Sequence, residues 1–186
     1  MTSKAIEMVA ELMALSARTA PKGRGLDSIV IRIVIGKELK ELAEEVHRMG
    51  MARDLKFLIR DAGNLEQSDA CILIGCIGID NVGLDCGGCG YGTCKEMRDA
   101  QEIFKAKVFK GKDKLLHGPN CAIKMADLGI ALGSAAKTAS LHNADNRIML
   151  SAGVGALSLG WMEGCNVVYG LPLKASGKSI YFDRPS

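Results

Sequence analysis

Ala70-Cys71-Ile72-Leu73-Ile74-Gly75-Cys76-Ile77-Gly78-Ile79 contains nothing but aliphatic residues, two cysteines and two glycines. A short β-branched run of this kind predicts a strand buried on both faces and central to the sheet the chain builds. Cys71 and Cys76 are five positions apart and therefore fall on opposite faces of that strand, where buried thiols behave as small hydrophobes. Neither is read as a ligand.

The strand delivers the chain to Cys86-Gly87-Gly88-Cys89-Gly90-Tyr91-Gly92-Thr93-Cys94, three cysteines at C-x2-C-x4-C spacing with four glycines among the other six residues. A cubane iron–sulfur cluster needs four thiolates that reach one point from different directions, so the backbone between them must turn sharply. Glycine permits those turns and lets backbone N–H groups approach anionic cluster sulfurs. A fourth ligand must come from elsewhere. The candidate is Cys121, separated from Cys94 by twenty-six residues, in Gly118-Pro119-Asn120-Cys121 at the start of a long helical stretch. Unpaired N–H groups at a helix N-terminus favour a thiolate.

Seven cysteines are an odd number, and no secretory leader is read at Met1, so a disulfide framework is not expected. Zinc is the stronger rival, but zinc knuckles usually carry two C-x2-C pairs and only one is present. The plant-type two-iron order, C-x4-C-x2-C, is the reverse of the one seen. A [4Fe-4S] cluster on Cys86, Cys89, Cys94 and Cys121 is therefore the expected centre, with zinc as the alternative. Residues 80–121 form the cluster region. Cys165, between Gly164 and Asn166, has no cysteine at ligand spacing and is read as structural.

Outward from this centre, Lys4 to Ala20 carries Ile6, Val9, Ala10, Met13 and Ala17 on one helical face and stops at Pro21. Ile29 to Ile35 predicts a strand in which Arg32 charges one face, as at a sheet edge. Lys37 to Met49 predicts a helix ended by Gly50. Lys56 to Arg60 reads as a further strand, and Lys95 to Lys107 as a helix. The lysines 105, 107, 110, 112 and 114 that follow are candidates to offset cluster charge or to dock an acidic redox partner. Cys121 to about Leu141 is a helix rich in small residues, with Gly129 and Gly133 placed where another backbone or a flat cofactor approaches closely. Arg147 to Leu159 predicts a helix capped by Asn143 or Asp145. Asn166 to Gly170 predicts a last strand, with an extended tail from Leu171. His47 reads as a surface residue and His117 as a loop histidine. Gly177-Lys178-Ser179 is no phosphate-binding P-loop, because the required earlier glycine is Pro172 and no helix follows.

The 186 residues, 48% of them hydrophobic, suffice for one domain, 1–186, with a real core. A net charge of +3 and an aromatic content of 4% argue against nucleic-acid binding. The longest uncharged stretch in the helix after Cys121, Leu128 to Ala136, is nine residues, too short to cross a membrane. The expectation is a cytoplasmic protein.

Taken together, Ser16-Ala17-Arg18-Thr19-Ala20-Pro21-Lys22, the cysteine loop, Gly118 to Cys121, Lys137-Thr138-Ala139-Ser140, Asp145-Asn146-Arg147-Ile148-Met149, Gly170-Leu171-Pro172-Leu173 and Ser176-Gly177-Lys178 resemble the uncharacterised ferredoxin-domain proteins of anaerobic bacteria and archaea. That resemblance covers nearly the whole chain and implies a [4Fe-4S] protein. A more distant similarity, in the Ala-Arg-x-Ala-Pro segment and the Gly-Leu-Pro-Leu strand end, is to the FMN-dependent nitroreductases. It implies an α+β fold with a mixed sheet packed between helices, a homodimer, and FMN as a second cofactor. Arg18, Lys22, Arg24, Lys178 and Arg184 are the candidates for the flavin phosphate. The function expected is electron transfer linked to a flavin-dependent reduction. The alternatives are a cluster-only carrier or redox sensor, and a zinc-stapled structural protein.

Overall fold

The computed structural model describes residues 2–108 and 115–182, with side chains described over 4–104 and 115–182. The lysine-rich run 105–114 and Arg184 lie outside these side chains.

Chain order is α1 (Thr2–Thr19), β1 (Ile29–Ile35), α2 (Gly36–Arg53), α3 (Lys56–Glu66), β2 (Ala70–Ile77), α4 (Cys94–Val108), α5 (Ala122–Leu141), β3 (Asp145–Asn146), α6 (Leu150–Ser158) and β4 (Cys165–Lys174). The strands form one sheet in the order β1-β2-β4-β3, and every pairing among them is antiparallel. This is the sheet between helix layers that the resemblance implied, though without a parallel pair among the described residues. Strand β2 is interior, and seven of its eight residues are buried. Its aliphatic side chains therefore feed two cores. On one face Ile72, Ile74 and Cys76 join Ala10, Met13, Ala17, Leu128, Ala131 and Ala135 of α1 and α5. On the other, Cys71 and Leu73 join Leu42, Val46, Leu58, Ala152 and Val154 of α2, α3 and α6. Cys71 and Cys76 thus lie in separate cores, as strand alternation requires.

Residues 56–60 are helical rather than extended. Leu58, Asp61, Ala62 and Leu65 are the buried positions of α3, spaced for a helix, and five residues were too few to reveal that period. Gly50 does not end α2, which runs on to a left-handed Asp54. A Cβ on Gly50 would sit 2.8 Å from Ile59 Cγ1 and 3.0 Å from Leu58 Cβ, so the glycine admits α3. Helix α6 begins at Leu150 and not Arg147. Asp145 and Asn146 pair with Lys174 and Leu173, and Met149 bridges Gly170, which keeps the backbone extended up to that point. Asp145 caps no helix; its carboxylate accepts from the Ile180 N–H at 3.0 Å. The last strand reaches Lys174, so Leu171, Pro172 and Leu173 belong to the sheet and not to a tail. Arg32, on the edge strand, reaches Glu38 at 2.7 Å and lies 4.6 Å from the centre of the Trp161 ring.

Helix α5 buries Leu128, Ala131, Leu132, Ala135 and Ala139 against the sheet. Its opposite side is exposed, and a Cβ added at Gly129 or Gly133 would meet open space. The close approach expected at these glycines is not made within the chain.

Candidate metal centre

Cys86, Cys89, Cys94 and Cys121 line one pocket together with Val82, Asp85, Gly87, Tyr91, Thr93, Met97 and Ala122. The four come from three pieces of structure. Cys86 and Cys89 sit on the loop that leaves β2, Cys94 is the first residue of α4, and Cys121 is the N-cap of α5. Two helix N-termini therefore open onto the pocket, each setting partly positive N–H groups beside a cysteine. Exposure grades across the set, from Cys86 at the surface through Cys89 and Cys94 to buried Cys121. Gly87 and Gly90 have φ of 71° and 87°, a backbone state that side chains disfavour, and the Gly90 N–H closes the turn on the Gly87 carbonyl at 2.9 Å.

The junction of loop and α4 is fixed by a capping box. Thr93 Oγ1 accepts from the Glu96 N–H at 3.2 Å, while Glu96 Oε2 accepts from the N–H groups of Gly92 at 3.0 Å and Thr93 at 3.2 Å. Asp85 Oδ1 takes the Cys94 N–H at 2.6 Å. The signal was present in the chain as Thr93-Cys94-Lys95-Glu96, a T-x-x-E box that places Cys94 inside the first turn.

In the pocket wall, Met97, Val82 and Cys121 form a small apolar cluster against which Cys89, Tyr91 and Ile123 pack. Gly23 of the basic turn comes so near that a Cβ there would lie 2.7 Å from Ile123 Cγ2. This turn is tied to α5 through a buried ion pair the sequence did not announce. Lys124 Nζ donates to the Leu26 carbonyl at 2.5 Å and to Asp127 Oδ2 at 3.2 Å, and Asp127 Oδ1 accepts the Gly23 N–H at 2.8 Å.

The basic residues near this turn are engaged with the chain itself. Arg18 Nη1 donates to Asp27 at 2.5 Å and to the Ile29 carbonyl at 2.7 Å. Lys22 Nζ caps the end of α1 through the Ala17 carbonyl at 2.9 Å and the Arg18 carbonyl at 2.5 Å. Burial, only partly offset by Asp27, holds the Lys22 ammonium below its ordinary pKa. Arg24 Nη1 donates to the Val82 carbonyl at 3.0 Å. These three lie at the end of the sheet where Ile29 faces Cys76. Lys178 follows β4 at the other end, where Leu173 faces Ala70 and the tail is tied to Asp69, Asp145 and Ser68.

The remaining cysteines differ sharply. Desolvation raises the Cys76 thiol to about 12 and Cys165 to about 11, and pushes Cys71 up further still. None of the three lines the pocket.

A family described as uncharacterized protein containing a ferredoxin domain matches residues 117–184, a segment that takes in Cys121. An uncharacterized protein of Archaeoglobus fulgidus is 43% identical over 182 residues, covering 98% of this chain and 93% of its own. The chain belongs to this ferredoxin-domain family. Its fold is that of the nitroreductases. A nitroreductase with bound FMN from Desulfitobacterium hafniense superposes with a TM-score of 0.57 at 15% identity, covering 96% of this chain and 82% of its own. A nitroreductase-like protein from Bacillus cereus gives 0.55 at 12% identity, covering 96% and 79%. Among the described residues of the ferredoxin-domain protein, no helix is long and apolar enough to cross a membrane.

Proposed function

We propose that this ferredoxin-domain protein transfers electrons through one [4Fe-4S] cluster held by Cys86, Cys89, Cys94 and Cys121. The observation that carries the reading is the gathering of all four cysteines, distant in sequence, around one pocket at two helix N-termini. The donor types suit such a group, since four thiols, the Asp85 carboxylate and no lysine, arginine or histidine line the pocket. Among the described residues no three of these donors stand close enough together to hold a metal ion, so ligation requires the cysteine side chains to draw in. Such a cluster, when bound, supplies electrons one at a time. The chain's own part is to position the four cysteines. The N-termini of α4 and α5 set partly positive N–H groups beside Cys94 and Cys121, and Glu96 and Asp85 fix the backbone from Gly92 to Cys94. Anaerobic purification with iron, sulfide and zinc analysis tests this. A broad brown absorbance with iron and sulfide in equal amounts is expected; a colourless protein with stoichiometric zinc would mean a structural staple.

A second reading, supported by the fold shared with the FMN-bound Desulfitobacterium hafniense nitroreductase, adds flavin, so that one-electron delivery feeds two-electron chemistry. The described phosphate candidates lie at opposite ends of β2: Arg18, Lys22 and Arg24 beside the cysteine loop, and Lys178 after β4; Arg184 lies outside the described residues. Strands rise about 3.3 Å per residue, so about a strand's length separates Lys178 from the first group. A homodimer would let the two ends serve one phosphate. Exposed Ile130 and Leu141 on α5, and Met8 and Leu15 on α1, give such a dimer an apolar surface to cover. Light scattering should then report two copies, and titration with FMN should saturate. Absence of saturable FMN binding by the cluster-loaded protein leaves a cluster-only carrier or redox sensor.

A further inference from the structure

Gln101 lies on α4 seven residues after Cys94, two helical turns on, and is wholly buried. Its amide Nε2 donates to the Gly78 carbonyl at 2.5 Å and to the Pro119 carbonyl at 2.6 Å. Gly78 is the first residue beyond β2, where the cysteine loop departs, and Pro119 is two residues before Cys121. One side chain thus joins the helix that carries Cys94, the strand exit that launches Cys86, and the segment that presents Cys121. Both partners are carbonyl oxygens, which only accept, so the nitrogen must face them and the oxygen must face away. That oxygen, Oε1, is the buried side-chain polar atom without a partner among the described residues. An orphaned buried acceptor is costly, and a side chain lacking it would avoid that cost, so the two donor bonds carry weight of their own.

The same segment is held from its other side. Asn166 Nδ2 donates to Asn120 Oδ1 at 3.0 Å, Asn120 Nδ2 to the His117 carbonyl at 2.7 Å, and the His117 N–H to the Asn166 carbonyl at 3.0 Å. The Asn166 amide occupies the space where a Cβ on Gly78 would stand. Cys121 is the one pocket cysteine that does not belong to the loop 86–94, so only contacts across the fold set its distance from the other three.

We infer that Gln101 is a positioning residue for the cluster site, a strut whose two amide hydrogens tie the Cys121 segment to the strand exit that launches the cysteine loop. This rests on the ligand reading proposed above. Loosening the strut should free Cys121 first, and a cubane that loses one thiolate sheds the iron that thiolate held while keeping its sulfides. The expected change is a fall from about four irons toward about three with sulfide unchanged. Loss of one ferrous iron from an oxidised cubane leaves a neutral three-iron cluster, and a one-electron oxidant added to the sample, ferricyanide, takes its electron and produces the paramagnetic signal of the oxidised three-iron form.

Three substitutions on the full chain separate donation from packing. Gln101→Met keeps the length and removes the donors, Gln101→Glu keeps the shape and puts an acceptor against two carbonyls, and Gln101→Lys restores donors. The chain already buries the Lys124 ammonium on a carbonyl. Each is purified anaerobically, checked for folding by circular dichroism, and assayed for iron, sulfide and spin signal. The expected result is loss of about one iron in the Met and Glu variants and retention in the Lys variant. Four irons in the folded Met and Glu variants would overturn the strut while leaving the ligand assignment standing. Failure of both to fold while the Lys variant folds would also overturn it, since the amide would then hold the fold and not the ligand span. An unmodified protein that takes up no cluster would instead sink the ligand reading, and this inference with it.

Discussion

Cysteines occur in this molecule in two settings that share a residue type and little else. Cys71, Cys76 and Cys165 sit in strands, covered by apolar neighbours that disfavour the thiolate and raise the Cys76 and Cys165 thiols to about 12 and about 11. Cys86, Cys89, Cys94 and Cys121 sit on a loop and at helix starts, where N–H groups lack helical partners and glycines leave the backbone open. The contrast teaches that surroundings separate thiols of one residue type: desolvation disfavours ionisation of Cys71, Cys76 and Cys165, whereas the pocket cysteines lie beside N–H groups at helix starts, which is why the ligand reading proposed above takes the second set.

The largest test exchanges members across that line. Cys121→Ser should lose at least the one iron that its thiolate would hold, a fall from about four toward about three or fewer, whereas Cys165→Ser should keep the full complement. If Cys165→Ser loses iron and Cys121→Ser does not, the two sets have been assigned the wrong way round.

Next in size is the pH response of the buried set. In the folded state these thiols hold their protons above the ordinary value of 9.0, so the unfolded chain ionises first. Their contribution to stability is therefore complete below about pH 9 and is lost as pH rises through about 11 for Cys165 and about 12 for Cys76. Each such thiol contributes a slope of about 1.4 kcal/mol per pH unit across its window. Urea unfolding of the cluster-free protein between pH 8 and 11 should show the decline, and Cys165→Ala should flatten it. An unchanged slope in that variant would place Cys165 in solvent.

The smallest effect concerns the loop set. Glu96→Ala removes the carboxylate that accepts from Gly92 and Thr93, and loss of a cap costs about 1 kcal/mol. Apo-protein stability should fall by that amount and cluster loading should slow. Equal loading rates in the two proteins would show that the loop geometry does not depend on this cap.

What the chain determines by itself follows from patterns confined to neighbouring residues. The β1 limits, the interior position of β2, the helices that begin at Cys94 and after Cys121 and the opposite facing of Cys71 and Cys76 all rest on periodicity and on glycine and cysteine spacing. Five-residue patterns were too short to fix the α3 segment, and the start of α6 was set by pairing with β4, a partner far along the chain. Tertiary structure alone decided that Arg18, Lys22 and Arg24 bond to the chain's own carbonyls and carboxylates, that Lys124 and Asp127 form a buried pair beneath the basic turn, and that Gln101 reaches both Gly78 and Pro119. Lys124 and Asp127 are three apart on one helix, a spacing the sequence does show, but their burial is not legible there, and Arg24 with Val82 and Gln101 with Gly78 and Pro119 join residues whose separation carries no periodic signal. Burial sets what a side chain must bond to, and burial becomes known only once the helices are laid on the sheet.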